Sequence, residues 1–238
     1  MSETLSNLEN CIKTSNYKKF YNLIMKNKSM VNDRDDQNFT LLMIACKNMD
    51  WQTRNIESNF KILRTLIKLG ADVNAVRYYE SERFNNRKEK DTALTYACTI
   101  CTSGLVKYLV ENGADTNFQD NYGYTPLMTC FTYRIFNLEI VNYLMQKTDL
   151  NLKNNKGKNL LMMLCDKGKT INLLELIKNP KVDIDPKHDY GKYDNIVKRE
   201  YLNRKRNLEK LYLIAKKENS ILGSLPREIF KEISGLIY

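Results

Sequence analysis

Asp91-Thr92-Ala93-Leu94-Thr95-Tyr96-Ala97, then Leu105-Val106-Lys107-Tyr108-Leu109-Val110, then Gly113-Ala114-Asp115-Thr116-Asn117 is the stretch from which the rest of the chain can be ordered. It reads as one short helix, a second helix and a closing turn. The pattern returns as Gly123-Tyr124-Thr125-Pro126-Leu127, Ile140-Val141-Asn142-Tyr143-Leu144-Met145 and Thr148-Asp149-Leu150-Asn151. Thr125 follows Thr92 by 33 positions, and Asn151 follows Asn117 by 34. A fixed period of this size means a solenoid, because one helix pair cannot bury its apolar faces alone and stacked neighbours must do it.

These residues resemble the ankyrin repeat, with its T-P-L-H-x-A opening and G-A-D-x-N ending. The resemblance implies an all-α fold, an ankyrin-repeat solenoid of stacked helix pairs, here followed by a C-terminal helical segment. Another copy opens at Phe39-Thr40-Leu41-Leu42-Met43-Ile44-Ala45 and closes at Gly70-Ala71-Asp72-Val73-Asn74. The fifth, Gly157-Lys158-Asn159-Leu160-Leu161-Met162-Met163-Leu164, has Asn159 for the threonine and ends at Val182-Asp183-Ile184-Asp185. The family's histidine is absent throughout, with Met43, Thr95, Met128 and Met162 in its place. The hydrogen bond it would make between neighbouring loops is therefore expected to be lost.

Residues 36–188 are assigned to the repeats and 1–35 to an N-terminal capping helix pair. In that pair Leu8 and Ile12 sit one turn apart, Ser15-Asn16 supplies a turn and an N-cap, and Tyr17, Phe20, Tyr21 and Ile24 form an apolar stripe. Residues 189–222 read as a degenerate sixth repeat or a basic helix, and 223–238 as a separate terminal helix.

The 238 residues are 42% hydrophobic and 28% charged, with a formal net charge of +10. A basic chain suits an acidic partner, yet lysine also simply solubilises an exposed superhelix. No apolar run is long enough for a membrane helix, and Met1-Ser2-Glu3-Thr4-Leu5-Ser6 lacks the basic and apolar regions of a signal peptide. A cytoplasmic or nuclear location is expected, or a host cytoplasm if the source is viral or bacterial. Cys46, Cys98 and Cys165 each fall six positions after a repeat's opening residue, the register of a small core side chain. Cys98-Thr99-Ile100-Cys101 lacks the further nearby ligands of a zinc site, since the single histidine, His188, lies two repeats away. No metal and no cofactor are expected.

Two insertions interrupt the period, near 49–59 and 76–89. Insertions map to solenoid loops, where function concentrates. The first holds the only tryptophan, Trp51. The second interleaves Tyr78, Tyr79 and Phe84 with Arg77, Arg83 and Arg87. Aromatics and arginine are enriched at binding hot spots, so Trp51, Arg77, Tyr78, Tyr79, Arg83 and Phe84 are candidate contacts for a client protein. The other reading is a surface insertion whose aromatics fold back on the stack.

The probe for nucleic acid is the helix with Val197, Tyr201, Leu208, Tyr212 and Ala215 on one face and Lys198, Arg199, Lys205, Arg206, Lys210 and Lys217 on the other. A basic helix can track phosphates, but no nucleic-acid module can be named, and a solvated end-cap explains the charges equally. A nucleic-acid partner is not expected.

The last stretch reads Ser224-Leu225-Pro226-Arg227-Glu228-Ile229-Phe230-Lys231-Glu232-Ile233-Ser234-Gly235-Leu236-Ile237-Tyr238. Ser224 can cap a helix with Pro226 in its first turn, and Leu225, Ile229, Ile233 and Leu236 make one apolar stripe. L-P-x-E-I-x-x-x-I looks like the opening of an F-box. Ankyrin repeats followed by such a segment resemble the ankyrin–PRANC proteins of poxviruses, with relatives in other large DNA viruses and intracellular bacteria. The resemblance implies docking to the Skp-type adaptor of a cullin–RING ubiquitin ligase through Leu225, Pro226, Ile229 and Ile233, with Leu236 on the same stripe. A full F-box has further helices, and a helix sealing the solenoid is the alternative. With one histidine, no phosphate-binding loop and no H-E-x-x-H, the residues point away from catalysis. The expected molecule is a monomeric, non-enzymatic adaptor joining a client to the ubiquitin machinery.

Overall fold

The computed structural model describes residues 2–49, 55–81, 87–132, 137–167 and 173–217. The chain divides into two compact units, Met1–Gly157 and Lys158–Tyr238. In the first unit α1 (Glu3–Lys13) and α2 (Tyr17–Lys26) precede three helix pairs. These are α3 (Leu41–Lys47) with α4 (Ile56–Lys68), α5 (Ala93–Ile100) with α6 (Ser103–Glu111), and α7 (Pro126–Cys130) with α8 (Leu138–Met145). The fold is the all-α ankyrin-repeat solenoid expected, with one departure: β1 (Arg77–Ser81) and β2 (Arg87–Asp91) pair as an antiparallel hairpin.

The opening residue of each repeat is an N-cap. The Thr40, Thr92 and Thr125 hydroxyls accept from the Met43, Thr95 and Met128 amides at 3.3, 3.3 and 3.2 Å. Asn159 does the same for Met162 at 3.0 Å, so the fifth repeat's departure from threonine keeps the physical role. Thr95, standing at the missing histidine's position, completes a capping box by accepting from the Thr92 amide at 2.8 Å. Behind each cap the first helix is buried nearly all round. In α3 this covers Leu41 through Cys46, and in α5 Ala93, Leu94, Ala97 and Cys98. The second helices bury one stripe each, such as Leu105, Val106 and Leu109 in α6. Each fully buried leucine contributes about 1.5–3 kcal/mol against leaving it in water, and helices as short as α7 hold only through this packing. Cys46, Cys98 and Cys165 are buried core residues, and all six cysteines are free thiols.

Met43, Thr95, Met128 and Met162 stand where the histidine would, and neighbouring repeats are joined at their closing turns by asparagine, through bonds that do not involve that position. In the closing turns at 72–74, 115–117 and 149–151 the aspartate accepts from the amide two residues on, as Asp72 does from Asn74 at 2.9 Å. The asparagine carboxamide then reaches the next repeat. Asn32 donates to the Gly70 carbonyl at 3.1 Å and accepts from the Asp72 amide at 2.8 Å. Asn74 donates to Gly113 at 2.9 Å and accepts from Asp115 at 2.8 Å, and Asn117 accepts from Asp149 at 2.8 Å. Both ends of the amide are used at Asn32 and Asn74, so each residue fixes its neighbour's turn by two bonds of about 1 kcal/mol apiece.

The N-terminal pair forms with Asn16 capping α2 through the Lys19 amide at 3.1 Å and Ser15 in the left-handed region at φ 54°. Its apolar stripe is narrower than the sequence suggests. Phe20 and Ile24 are buried, whereas Tyr21 is 41% exposed. Of the insertion near 49–59, Met49 is buried and Ile56–Asn59 form the first turn of α4 rather than a loop.

In the second unit α9 (Leu160–Asp166) packs on α10 (Leu173–Lys178), and a single 24-residue helix, α11 (Asp194–Lys217), stands where a sixth helix pair would. Val197 of α11 is fully buried. Arg204, which the sequence reading passed over, is the clamp. Its guanidinium donates to the carbonyls of Val182 at 2.7 Å, Asn179 at 2.9 Å and Ile177. A cation thus satisfies the Ile177 and Asn179 carbonyls at the C-terminal end of α10, together with that of Val182 in the following turn.

Candidate interaction surface

The repeats are joined by tight turns at their opening ends. In one, the Asp35 carboxylate accepts from the Gln37 and Phe39 amides at 2.9 and 2.7 Å, with Asn38 at φ 65°. In another, Asp120 accepts from the Tyr122 and Tyr124 amides at 2.8 Å each, with Gly123 at φ 75°. Gly123 could not be exchanged freely, since a Cβ there would lie 2.7 Å from the Asn155 amide nitrogen. Between these two turns the insertion near 76–89 draws the equivalent turn out into the β1–β2 hairpin, with Arg77 opposite Asp91, Tyr78 opposite Lys90 and Tyr79 opposite Glu89.

Strand alternation sends neighbouring side chains to opposite faces, and that decides which of the candidate residues are free. Arg77 turns inward and is 9% exposed. Its guanidinium carbon lies 3.7 Å from the Phe39 ring centroid and 3.8 Å from that of Tyr79. Two rings cannot share one face of a guanidinium at that distance, so it is held between them. Nε donates to the Gln37 carbonyl and Nη1 to the Tyr96 hydroxyl, both at 2.9 Å. Tyr96 in turn donates to Asp91 at 3.0 Å. Burial first, and then the Asp91 carboxylate, push the Tyr79 and Tyr96 hydroxyl pKa values up, which keeps both neutral donors.

The hairpin is also tied to its neighbours on both sides. Arg34 donates to the Val76 carbonyl at 2.9 Å and Asn38 to the Tyr78 carbonyl at 3.0 Å. On the β2 side Tyr122 donates to Glu89 at 2.7 Å, and the Lys90 ammonium lies 5.2 Å from the Phe118 ring centroid. Tyr78, on the opposite face from Arg77, is 61% exposed. The base of the hairpin is therefore rigid, and an aromatic side chain stands on it in solvent.

Of the client contacts expected from sequence, Tyr78 is presented, Tyr79 is half-buried, and Arg77 is an inward anchor whose Nε and Nη1 donate within the fold. Trp51, Arg83 and Phe84 lie outside the described residues, as do Leu225, Pro226, Ile229, Ile233 and Leu236. Lys90, Phe118 and Tyr122 join the surface although the sequence reading did not select them. Their signal was register, since Tyr122 lies in the turn next along the stack. Among the described residues no group of histidine, cysteine, aspartate or glutamate could hold a metal ion, and no helix is long and apolar enough to cross a membrane. What this arrangement offers is a surface for binding.

Comparison with known proteins agrees on the class. Residues 75–154 match the family described as ankyrin repeats (3 copies). The neurogenic locus notch homolog protein 1 of Homo sapiens is 30% identical over 168 residues, covering 68% of this chain. The Mus musculus protein of that name matches to the same extent, and the Xenopus laevis protein is 28% identical over 166 residues. The chain spans about 6% of the length of these relatives. It carries ankyrin repeats, a module for binding other proteins.

Proposed function

We propose that this chain is a non-catalytic recruitment adaptor whose repeats hold a client protein and whose terminal segment delivers it to a ubiquitin ligase. The observation that carries the first half is the hairpin. Its inward face is locked by Arg77 between two rings, so the outward Tyr78 is presented with little ordering left to do on binding. Rigid aromatic anchors of this kind, with Lys90 and Phe118 beside them, are what a protein client can cover. Trp51, Arg83 and Phe84 extend the same proposal to the remainder of the insertions. The second half rests on Leu225-Pro226-Arg227-Glu228-Ile229 and Ile233, the residues that look like an F-box opening and would seat on a Skp-type adaptor. Six free cysteines suit the reducing cytoplasm or nucleus where that machinery works.

The halves are tested separately. Titration with a purified Skp-type adaptor should show binding by the intact chain and none by Ile229→Asp/Ile233→Asp that remains folded by circular dichroism. If the intact chain does not bind, the ligase half is wrong. For the client half, the hairpin is trimmed to a turn like Asp120–Gly123 and proximity labelling in cells is compared with the intact chain. Proteins lost only from the trimmed chain are clients; identical labelling would exclude the hairpin as their site.

A further inference from the structure

A second surface lies on the outer helices, on elements that contribute nothing to the hairpin. On α2, Tyr21 and Met25 sit one turn apart with 41% and 36% exposure. Tyr17, one turn earlier, packs against Tyr21 with ring centroids 5.8 Å apart, and its hydroxyl is 3.5 Å from Thr65 Oγ1 of α4. That contact sets the apolar edge of α2 beside α4. Lys61 and Lys68 lie four and three residues from Thr65, hence on the same side of α4, whereas Arg64 turns to the Tyr108 ring of α6, 5.9 Å from its centroid. Lys18 and Lys26 border the strip on α2. The one acidic side chain on these two helices is Glu57, and it pairs with Lys61 at 2.8 Å. Lys18, Lys26 and Lys68 have no ion-pair partner among the described residues. The result is an apolar strip fenced by uncompensated positive charge.

We propose that this face docks an acidic protein segment carrying two apolar side chains one helical turn apart. The spacing of Tyr21 and Met25 matches such a pair, and a thioether adapts its shape to what it meets. Flanking carboxylates would meet the cations on either side and speed the encounter. A membrane surface fits less well, since two exposed apolar residues do not make the continuous apolar face of an interfacial helix. Single-stranded nucleic acid fits less well too, because Tyr17 and Tyr21 tilt 49° against each other instead of offering open stacking platforms.

Short random peptides displayed on phage are selected on the intact chain, with counter-selection against Lys18→Glu/Lys26→Glu/Lys68→Glu. The expected winners are acidic, carry apolar residues at i and i+4, and lose affinity by about tenfold or more on the charge-reversed protein and again at high salt. Tyr21→Ser/Met25→Ser should weaken them by a similar factor without changing the salt dependence. All substituted positions are solvent-accessible, and circular dichroism checks that the variants fold. Winners that are neutral or basic, or that bind both proteins alike, would overturn the proposal. So would the absence of winners, or binding of phosphatidylserine vesicles or short single-stranded DNA in their place that disappears with the charge reversal.

Discussion

Arg77 carries more of the hairpin than any other single residue, and it does so by shape as much as by charge. A planar guanidinium can lie flat between Phe39 and Tyr79 while its edge donates to Gln37 and Tyr96. Lysine has the charge without the plane. Arg77→Lys should therefore cost roughly 2 kcal/mol in urea unfolding, the sum of a desolvated cation–π contact and a lost hydrogen bond. Loss of less than a few tenths would mean that the stack is incidental. Asp120 makes a contrary prediction. Burial first, with Asp91 and Glu89 adding to it, raises its carboxyl pKa, although the Tyr122 and Tyr124 amides work to lower it. The folded state therefore holds the proton more tightly than the unfolded chain. Stability falls as pH rises through the carboxylate range, and the loss is complete at neutral pH. Asp120→Asn keeps an oxygen for both amides and removes the charge. Its Tm should exceed that of the parent at pH 7, with the gap closing as pH drops below the carboxylate range.

Among elements, α10 shows how a helix too short to persist alone is kept. Six residues supply few internal hydrogen bonds, and Leu173, Leu176 and Ile177 bury one face. Arg204 of α11 satisfies the carbonyls at its end. Arg204→Met preserves the stem and removes the donors to the partly buried Ile177 and Val182 carbonyls, leaving Asn179 only its bond from the Val182 amide. Hydrogen exchange across 173–182 should accelerate by about tenfold or more, equivalent to a loss of about 1–3 kcal/mol. Unchanged exchange there would show that burial alone holds α10. The hairpin is the opposite case. It is a long insertion that loop-closure entropy tolerates at small cost, so trimming it should leave the repeats folded while removing Tyr78 from the surface.

At the scale of the molecule, the cysteines report on the core. Cys11, Cys46, Cys98, Cys130 and Cys165 are buried and Cys101 is half-buried at the end of α5. Burial also pushes the Cys165 thiol up to about 12, so little thiolate forms at neutral pH. Burial and then Cys130 raise the Cys101 thiol too, so titration of the native protein with an aromatic disulfide reagent should give at most one thiol reacting, and slowly, against all six in denaturant. Fast thiols beyond Cys101 would mean that the repeats open far more readily than their packing implies.

The repeat was legible in the residues because every copy meets the same physical demand. A cap, a buried first helix, a half-buried second helix and an Asp-x-Asn turn recur wherever one pair must stack on the next. Thr40, Thr92, Thr125 and Asn159 are visible as equivalents for that reason. The candidate surface was legible only in part. The insertion and its aromatic–arginine composition could be found by counting, but its sorting into an inward Arg77 and an outward Tyr78 could not. That sorting depends on Phe39, which stands in an earlier turn, and on Tyr96, 19 positions further on. The same holds for Arg204, whose carbonyl partners lie 22 to 27 positions away, and for Tyr21, which stays 41% exposed while Tyr17, one turn earlier, reaches Thr65 of α4. Local spacing fixes periodic structure, whereas which side chain is free to bind is settled by neighbours that only folding brings near.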